Sequence, residues 1–297
     1  MRASHIALAV LIAAIWGINF VAIHVGLQQL SPQLLCMVRF LGASMPALFF
    51  IKRPAVPFWM IAGYGLTMFA LQFIFLFIGM HLGITPALSS LLMQLQVFFT
   101  IFLAYLFLQE QPRKTQIFGA LVSFSGIVLV GLHLDSPISL LGFMSVIIAA
   151  FSLSVGNLIS KKIGCVNMFA LVVWGSFVAW IPLFLLVMVT DGLFATLTTI
   201  RHLSFESIGA LFYITYISTV VGYVGWSGLL SKYPTIMVAP FMLLVPMFAF
   251  LGSAFFLHEP LQSWKLTAAA LVITGLCINL LVPRFIILRS QALPQEQ

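Results

Sequence analysis

Charge is scarce in this chain. Of its 297 residues only 6% are Asp, Glu, Lys or Arg, whereas 62% are hydrophobic. Soluble domains carry about 25% charged residues. The mean hydropathy is +1.18. So few ionisable groups cannot coat a soluble core of this size, which excludes a soluble globular domain and a disordered chain. Cysteine is also scarce: Cys36, Cys165 and Cys277 are odd in number, far apart and without a C-x-x-C, against a disulfide scaffold or a zinc site. No motif calls for a cofactor. The formal net charge of +7 raises the question of nucleic acid. The basic residues, however, are dispersed as pairs between apolar runs, which suits loops at a lipid surface, and no nucleic-acid partner is expected.

What is present is long apolar runs. The sequence predicts ten membrane-crossing helices, at 6–27, 32–51, 58–80, 86–107, 115–132, 138–160, 168–189, 207–230, 237–257 and 265–283. Ser31-Pro32, Lys52-Arg53-Pro54, Thr85-Pro86, Gln111-Pro112, Ser136-Pro137 and Tyr233-Pro234 punctuate them. Runs such as Val97–Leu108 do not alternate as barrel strands would. Ile6–Leu27 is longer than a signal-peptide core, contains Trp16 and Asn19, and reads as a retained first span. With the N-terminus inside, ten of the thirteen Lys and Arg fall in cytoplasmic segments, Arg201 and Lys265 fall outside, and Arg39 lies within a span. The fold expected is therefore all-α and integral to the membrane, with both termini cytoplasmic.

A polar side chain in hydrocarbon must find a partner or line a wet cavity. At about 100° per residue, Trp16, Asn19 and Ile23 share a face of span one, and Tyr64, Met68, Gln72 and Phe75 a face of span three. Tyr216, Thr219, Tyr223 and Trp226 make an aromatic and hydroxyl stripe in span eight, beside small Gly222, Gly225 and Gly228, which admit a neighbouring helix. Asn157 is the polar candidate in span six. Gln94 and Gln96, two positions apart, cannot both face one narrow cavity unless the helix is locally irregular; the sequence does not choose between them. Arg39 has two readings. It neutralises a substrate carboxylate through a forked hydrogen bond, or it bonds helix-end carbonyls or snorkels outward. Its place seven residues after Pro32 favours the second. Pro46, Pro182, Pro240 and Pro246 are expected to bend spans or free carbonyls.

The halves echo each other. Leu108-Gln109-Glu110 and Leu257-His258-Glu259 are 149 residues apart, as are Gly126 and Gly275; Trp16-Gly17-Ile18-Asn19 resembles Ser154-Val155-Gly156-Asn157, with His24 and Lys162 each five positions on. Two five-span copies would enter the membrane with opposite orientation, the pattern of secondary transporters with substrate held between the copies. The boundaries expected are 1–134 and 135–284, followed by a cytoplasmic tail over 285–297.

Segments 16–21 (Trp-Gly-Ile-Asn-Phe-Val), 64–67 (Tyr-Gly-Leu-Thr), 94–100 (Gln-Leu-Gln-Val-Phe-Phe-Thr), 221–226 (Val-Gly-Tyr-Val-Gly-Trp) and 238–246 (Val-Ala-Pro-Phe-Met-Leu-Leu-Val-Pro), with Gly156-Asn157 and Lys161-Lys162, carry a resemblance. The chain resembles the drug/metabolite transporter superfamily, EamA type, and most closely its bacterial exporters of cysteine and O-acetylserine. The resemblance implies two inverted five-helix repeats in a bacterial inner membrane, export from the cytoplasm and a cavity between the halves. His24 departs from it, standing where lysine is expected. The substrate expected is a small zwitterion met by Trp16, Asn19, Arg39, Gln72, Gln94, Gln96, Asn157, Tyr223 and Trp226. Other amino acids, aromatic ones included, or drugs are the alternative cargo.

All six acids, Glu110, Asp135, Asp191, Glu206, Glu259 and Glu296, fall at span ends, in loops or in the tail. His24, His81, His133 and His258 lie near span ends. Export without a buried coupling carboxylate is therefore expected. An intramembrane enzyme is the remote reading. Gly42-Ala43-Ser44 is too short for a serine-hydrolase motif, and His258-Glu259 lacks the second His of a zinc-protease helix.

Overall fold

The computed structural model describes residues 1–45, 47–133, 139–164, 166–233 and 235–292, with helix as the only regular structure among them. Among the described residues, nine segments are long and apolar enough to cross a membrane: Ala3–Gly26, Pro32–Phe49, Phe58–His81, Pro86–Leu108, Lys114–Leu132, Leu140–Ile163, Met168–Thr190, Phe205–Trp226 and Ala239–Leu257. A shorter apolar stretch, Ser263–Asn279, stands where the tenth span is expected. The outer surface is apolar, with Leu121, Val189 and Phe255 each well exposed. Such a surface is costly in water and ordinary in lipid. Pro46, Cys165, Asp135, Ser136-Pro137, Pro234, Glu296 and the expected boundary at 134/135 lie outside the described residues.

The helices are α1 (Ala3–Gly26), α2 (Pro32–Ser44), α3 (Phe58–Gly65), α4 (Gln72–His81), α5 (Pro86–Leu92), α6 (Leu95–Leu108), α7 (Lys114–Leu132), α8 (Leu140–Ile163), α9 (Met168–Thr190), α10 (Leu193–Arg201), α11 (Phe205–Phe212), α12 (Gly222–Lys232), α13 (Thr235–Val238), α14 (Leu244–Leu257) and α15 (Ser263–Ala292). Several starts follow local chemistry. Ser31, Thr85, Ser139, Asn167 and Ser204 each accept a backbone N–H of the helix they precede, and Pro32 and Pro86 occupy the first turn, where no N–H is missed.

Four spans are not uniform α-helices, one of them at Pro240, where a bend is expected. A π-helical segment, Leu66–Leu71, joins α3 to α4, and a second, Tyr213–Val221, joins α11 to α12. A turn at Met93–Gln94 separates α5 from α6. A 3₁₀ segment, Ala239–Leu243, containing Pro240, separates α13 from α14. Pro182, by contrast, lies inside a continuous α9. Helix α15 continues to Ala292, so the part of the expected tail over 285–292 is helical. Helix α10 was not anticipated. It buries Thr196 and exposes Leu193, Phe194, Leu197 and Ile200, which suits the membrane interface.

Close packing follows from glycine. A Cβ on Gly17 of α1 would stand 2.5 Å from Phe248 Cβ and 2.7 Å from the Val245 carbonyl of α14, so only glycine lets these helices meet. Between α7 and α15, Gly119 faces the Gly275 carbonyl and Gly126 the Ala268 carbonyl, so the two helices run antiparallel. Residues 268 and 275 follow 119 and 126 by 149 positions, so each helix offers the other the same two positions. Helices α6 and α14 match at both ends with this offset, and α7 and α15 at their starts.

The ends of the bundle gather the loops expected on one side. At one end a His5 ring nitrogen and the Tyr233 hydroxyl are 2.7 Å apart, and Lys161 pairs with Glu110 at 2.6 Å. At the other end Ser31 and Gln33 donate to Asp191, and the His133 ring stacks on Trp264 at 4.6 Å. Lys265 pairs there with Glu259 at 2.8 Å.

Candidate functional site

A cavity of about 310 Å³ opens within the bundle, and its wall includes Trp16, Asn19, Arg39, Gln72, Gln94, Gln96, Asn157, Tyr223 and Trp226. All nine sequence candidates thus meet around one space. They come from α1, α2, α4, the α5–α6 break, α6, α8 and α12, so helices from early and late in the chain are needed to build it.

The break at Met93–Gln94 resolves the choice between the two glutamines. Because the helix is irregular there, both line the cavity. Gln94 Nε2 donates to the Met242 carbonyl at 3.4 Å, in the 3₁₀ segment of the other half. Gln96 Oε1 accepts from Asn157 Nδ2 at 3.0 Å, and the Gln96 carbonyl accepts from Ser154 at 3.0 Å. Each amide therefore joins helices while still facing the cavity.

Arg39 does not snorkel. It is buried, with its guanidinium carbon 4.0 Å from the Phe73 ring centroid. Its Nε donates to Thr219 Oγ1 at 3.1 Å. Its Nη1 has no protein partner. A buried unpaired donor costs about 1–3 kcal/mol, and more for a charged group, so Arg39 occupies this place at an energetic penalty. Asn19 Oδ1, Gln72 Oε1 and the Tyr64 hydroxyl are likewise buried without a partner on the same wall. The unsatisfied set comprises one cationic donor, two amide acceptors and one hydroxyl able to do either.

Aromatic rings brace this wall. Trp16 packs against Tyr223 at 5.6 Å and Trp226 at 5.4 Å, and its Nε1 donates to the Ser218 carbonyl at 3.1 Å. The indole N–H is thus committed to protein, leaving the ring for contact. Trp226 lines the cavity. Tyr216 leaves its expected stripe. The π segment turns it outward, partly exposed beside Phe212, while Thr219 turns inward. Gly222 and Gly225 do admit a helix, facing Trp16 and Ile12 of α1.

Sequence reasoning missed Thr219 as the partner of Arg39. It also missed Phe73 and, beyond the Met68 already placed on the Tyr64 and Gln72 face, the further lining methionines Met93, Met168 and Met242. These three lie on three different elements, so no periodicity within one span could reveal them. It missed too that the side chain of Glu259 is covered, held by Lys265 and by a 2.6 Å hydrogen bond from Ser253.

Comparison with known proteins agrees with this architecture. The model of the EamA-like transporter family matches the chain twice, over residues 3–132 and 140–281. A protein of Escherichia coli named "Probable amino-acid metabolite efflux pump" is 38% identical over 278 residues, covering 92% of this chain and 93% of its own length. The protein of the same name from Salmonella typhimurium is 37% identical with the same coverage. A crystal structure at 17% identity superposes with a TM-score of 0.58 over 96% of this chain and 99% of the other, a likeness of fold alone.

Proposed function

Because the chain belongs to the EamA-like transporter family of the drug/metabolite transporter superfamily, we propose that it exports small amino acids or related metabolites, of the cysteine or O-acetylserine kind, from the cytoplasm across a bacterial inner membrane. It is a multi-span membrane protein, and its family and named relatives are transporters, not enzymes. The observation that carries the substrate reading is the unsatisfied polar set: Arg39 Nη1, Asn19 Oδ1, Gln72 Oε1 and the Tyr64 hydroxyl, all of residues that line the one cavity. A carboxylate completes Arg39 and Tyr64. An ammonium completes the two amide oxygens, with the Trp16 face adding a cation–π contact. The names of the two bacterial relatives support the same class.

The mechanism we propose is alternating access by two inverted five-helix halves, 1–134 and 135–284, around this cavity. The doubled family match, the 149-residue offset of α6 and α14, and the antiparallel α7–α15 contact support it. The ten-to-two distribution of basic residues supports cytoplasmic termini. Neutral amides suit a site that must release its cargo, since tight binding to one state would stall turnover.

A second reading is an amino acid with a larger apolar side chain. The cavity's volume of about 310 Å³ favours it, because a cavity of about 150 Å³ already holds benzene. The four methionines supply an adaptable apolar wall. Counterflow in proteoliposomes, with labelled cysteine, O-acetylserine and phenylalanine in competition, separates the readings. Wild-type exchange by all of Asn19→Ala, Gln94→Ala, Asn157→Ala and Tyr223→Ala would remove the cavity as the site.

A further inference from the structure

The carboxylate reading of Arg39 leaves open what aims the guanidinium, and the answer lies in span eight. Thr219 is fully buried and has one hydroxyl oxygen to share. It donates its proton to the Ile214 carbonyl, five residues back, at 2.8 Å. A threonine in a regular α-helix reaches three or four residues back; the five-residue reach belongs to the π segment Tyr213–Val221. With its proton so committed, the oxygen turns a lone pair across to α2, where Arg39 Nε donates at 3.1 Å. Phe73, just beyond the π segment Leu66–Leu71, lies against the guanidinium at 4.0 Å. One edge of the fork is therefore tied, one flat side is covered, and Nη1 is left without a protein partner at the cavity wall.

We infer that Thr219 is a positioning residue for substrate selection. By fixing Nε through the π turn, it holds the remaining guanidinium N–H groups in the orientation that receives a carboxylate, and so makes the transporter select amino acids over the corresponding amines. This inference rests on the reading of Arg39 as the carboxylate partner. The π turn has a physical reason in it: π-helical turns are rare and are found frequently at functional sites. Here the turn re-aims one hydroxyl and, through Trp16 Nε1 on the Ser218 carbonyl, anchors one wall aromatic.

The test uses the full-length protein in detergent or proteoliposomes. The probes are two pairs differing by a carboxylate: cysteine against cysteamine, and phenylalanine against phenethylamine. The wild type is expected to prefer the amino acid in at least one pair. Thr219→Val keeps the side-chain shape but lacks the oxygen. It is expected to weaken amino-acid binding about tenfold, a change of 1.4 kcal/mol, with amine binding unchanged. Thr219→Ser, which restores the oxygen, is expected to keep the wild-type preference. Arg39→Gln is expected to abolish the preference altogether. If Arg39→Gln keeps it, the carboxylate reading itself falls. If Arg39→Gln abolishes it but Thr219→Val binds amino acids as the wild type does, the positioning role falls while Arg39 stands. Equal loss of amine and amino acid in Thr219→Val also overturns the positioning role. Should Thr219→Val fail to fold, Thr219→Ala and Phe73→Leu carry the same comparison. Wild-type binding of neither amino acid overturns the substrate class and this inference together.

Discussion

Asn157 and Gln96 meet across the cavity wall, Nδ2 to Oε1 at 3.0 Å, and join α8 of the second half to α6 of the first. Both residues also line the cavity. Interhelical amide bonds of this kind in membranes average about 0.6 kcal/mol, reaching about 1.7. A double-mutant cycle of Gln96→Ala and Asn157→Ala on substrate affinity is therefore expected to show coupling of about 1 kcal/mol. Strict additivity would place the two side chains in separate roles.

Arg39 predicts a separation of stability from activity. Its burial with Nη1 unpaired is an energetic burden that a hydrophobic residue of similar length would relieve. Arg39→Met is expected to melt at or above the wild-type temperature in detergent, while counterflow falls at least tenfold. A melt several degrees lower would mean that Arg39 holds the bundle together.

The two Glu–Lys pairs predict unequal costs. Glu259 and Lys265 are both buried, whereas Glu110 and Lys161 are both about half exposed. Removing one partner of a buried pair typically costs about 3–5 kcal/mol, because the other charge is left behind. An exposed pair contributes about 0–1 kcal/mol. Glu259→Gln should therefore lower the melting temperature much more than Glu110→Gln does. Glu259→Gln combined with Lys265→Met should recover most of the loss.

Glycine contacts predict a positional contrast. A side chain at Gly17 would strike Phe248 and the Val245 carbonyl, whereas one at Gly209 would meet nothing within 4 Å. Gly17→Ala is expected to destabilise by about 1–3 kcal/mol, and Gly209→Ala to leave the melt unchanged. Equal melts for the two variants would show that α1 and α14 do not pack as closely as described.

Topology has its own check. Single cysteines introduced at Lys52 and Lys114, in a variant lacking the natural cysteines, should react with impermeant thiol reagents only from the cytoplasmic side. A cysteine at Arg201 should react only from the other side. A common side for all three would overturn the alternation.

Nine spans, their ends and the membrane itself were legible in the sequence, because each depends on local quantities: twenty apolar residues, a proline, a capping hydroxyl, a pair of lysines. The polar candidates were legible for the same reason, since Asn19, Arg39, Gln72, Gln94, Gln96 and Asn157 each stand out against a hydrocarbon background. The register beyond them was not. Uniform helical spacing placed Tyr216 and Thr219 on one stripe, but the π segment Tyr213–Val221 adds a residue to the turn and parts them. The same spacing set Gln94 against Gln96, but the break at Met93–Gln94 lets both face inward. Such irregular turns are stabilised by partners on other helices, such as Trp16 on the Ser218 carbonyl and Arg39 on Thr219. Those partners lie about two hundred residues away in the chain. Composition alone determined that this chain dissolves in lipid and carries a few costly polar groups there. Tertiary packing decided which of those groups satisfy one another, which single nitrogen of Arg39 is left over, and that the remainder surround a common space, since hydrogen bonds between helices depend on distances that no local pattern encodes.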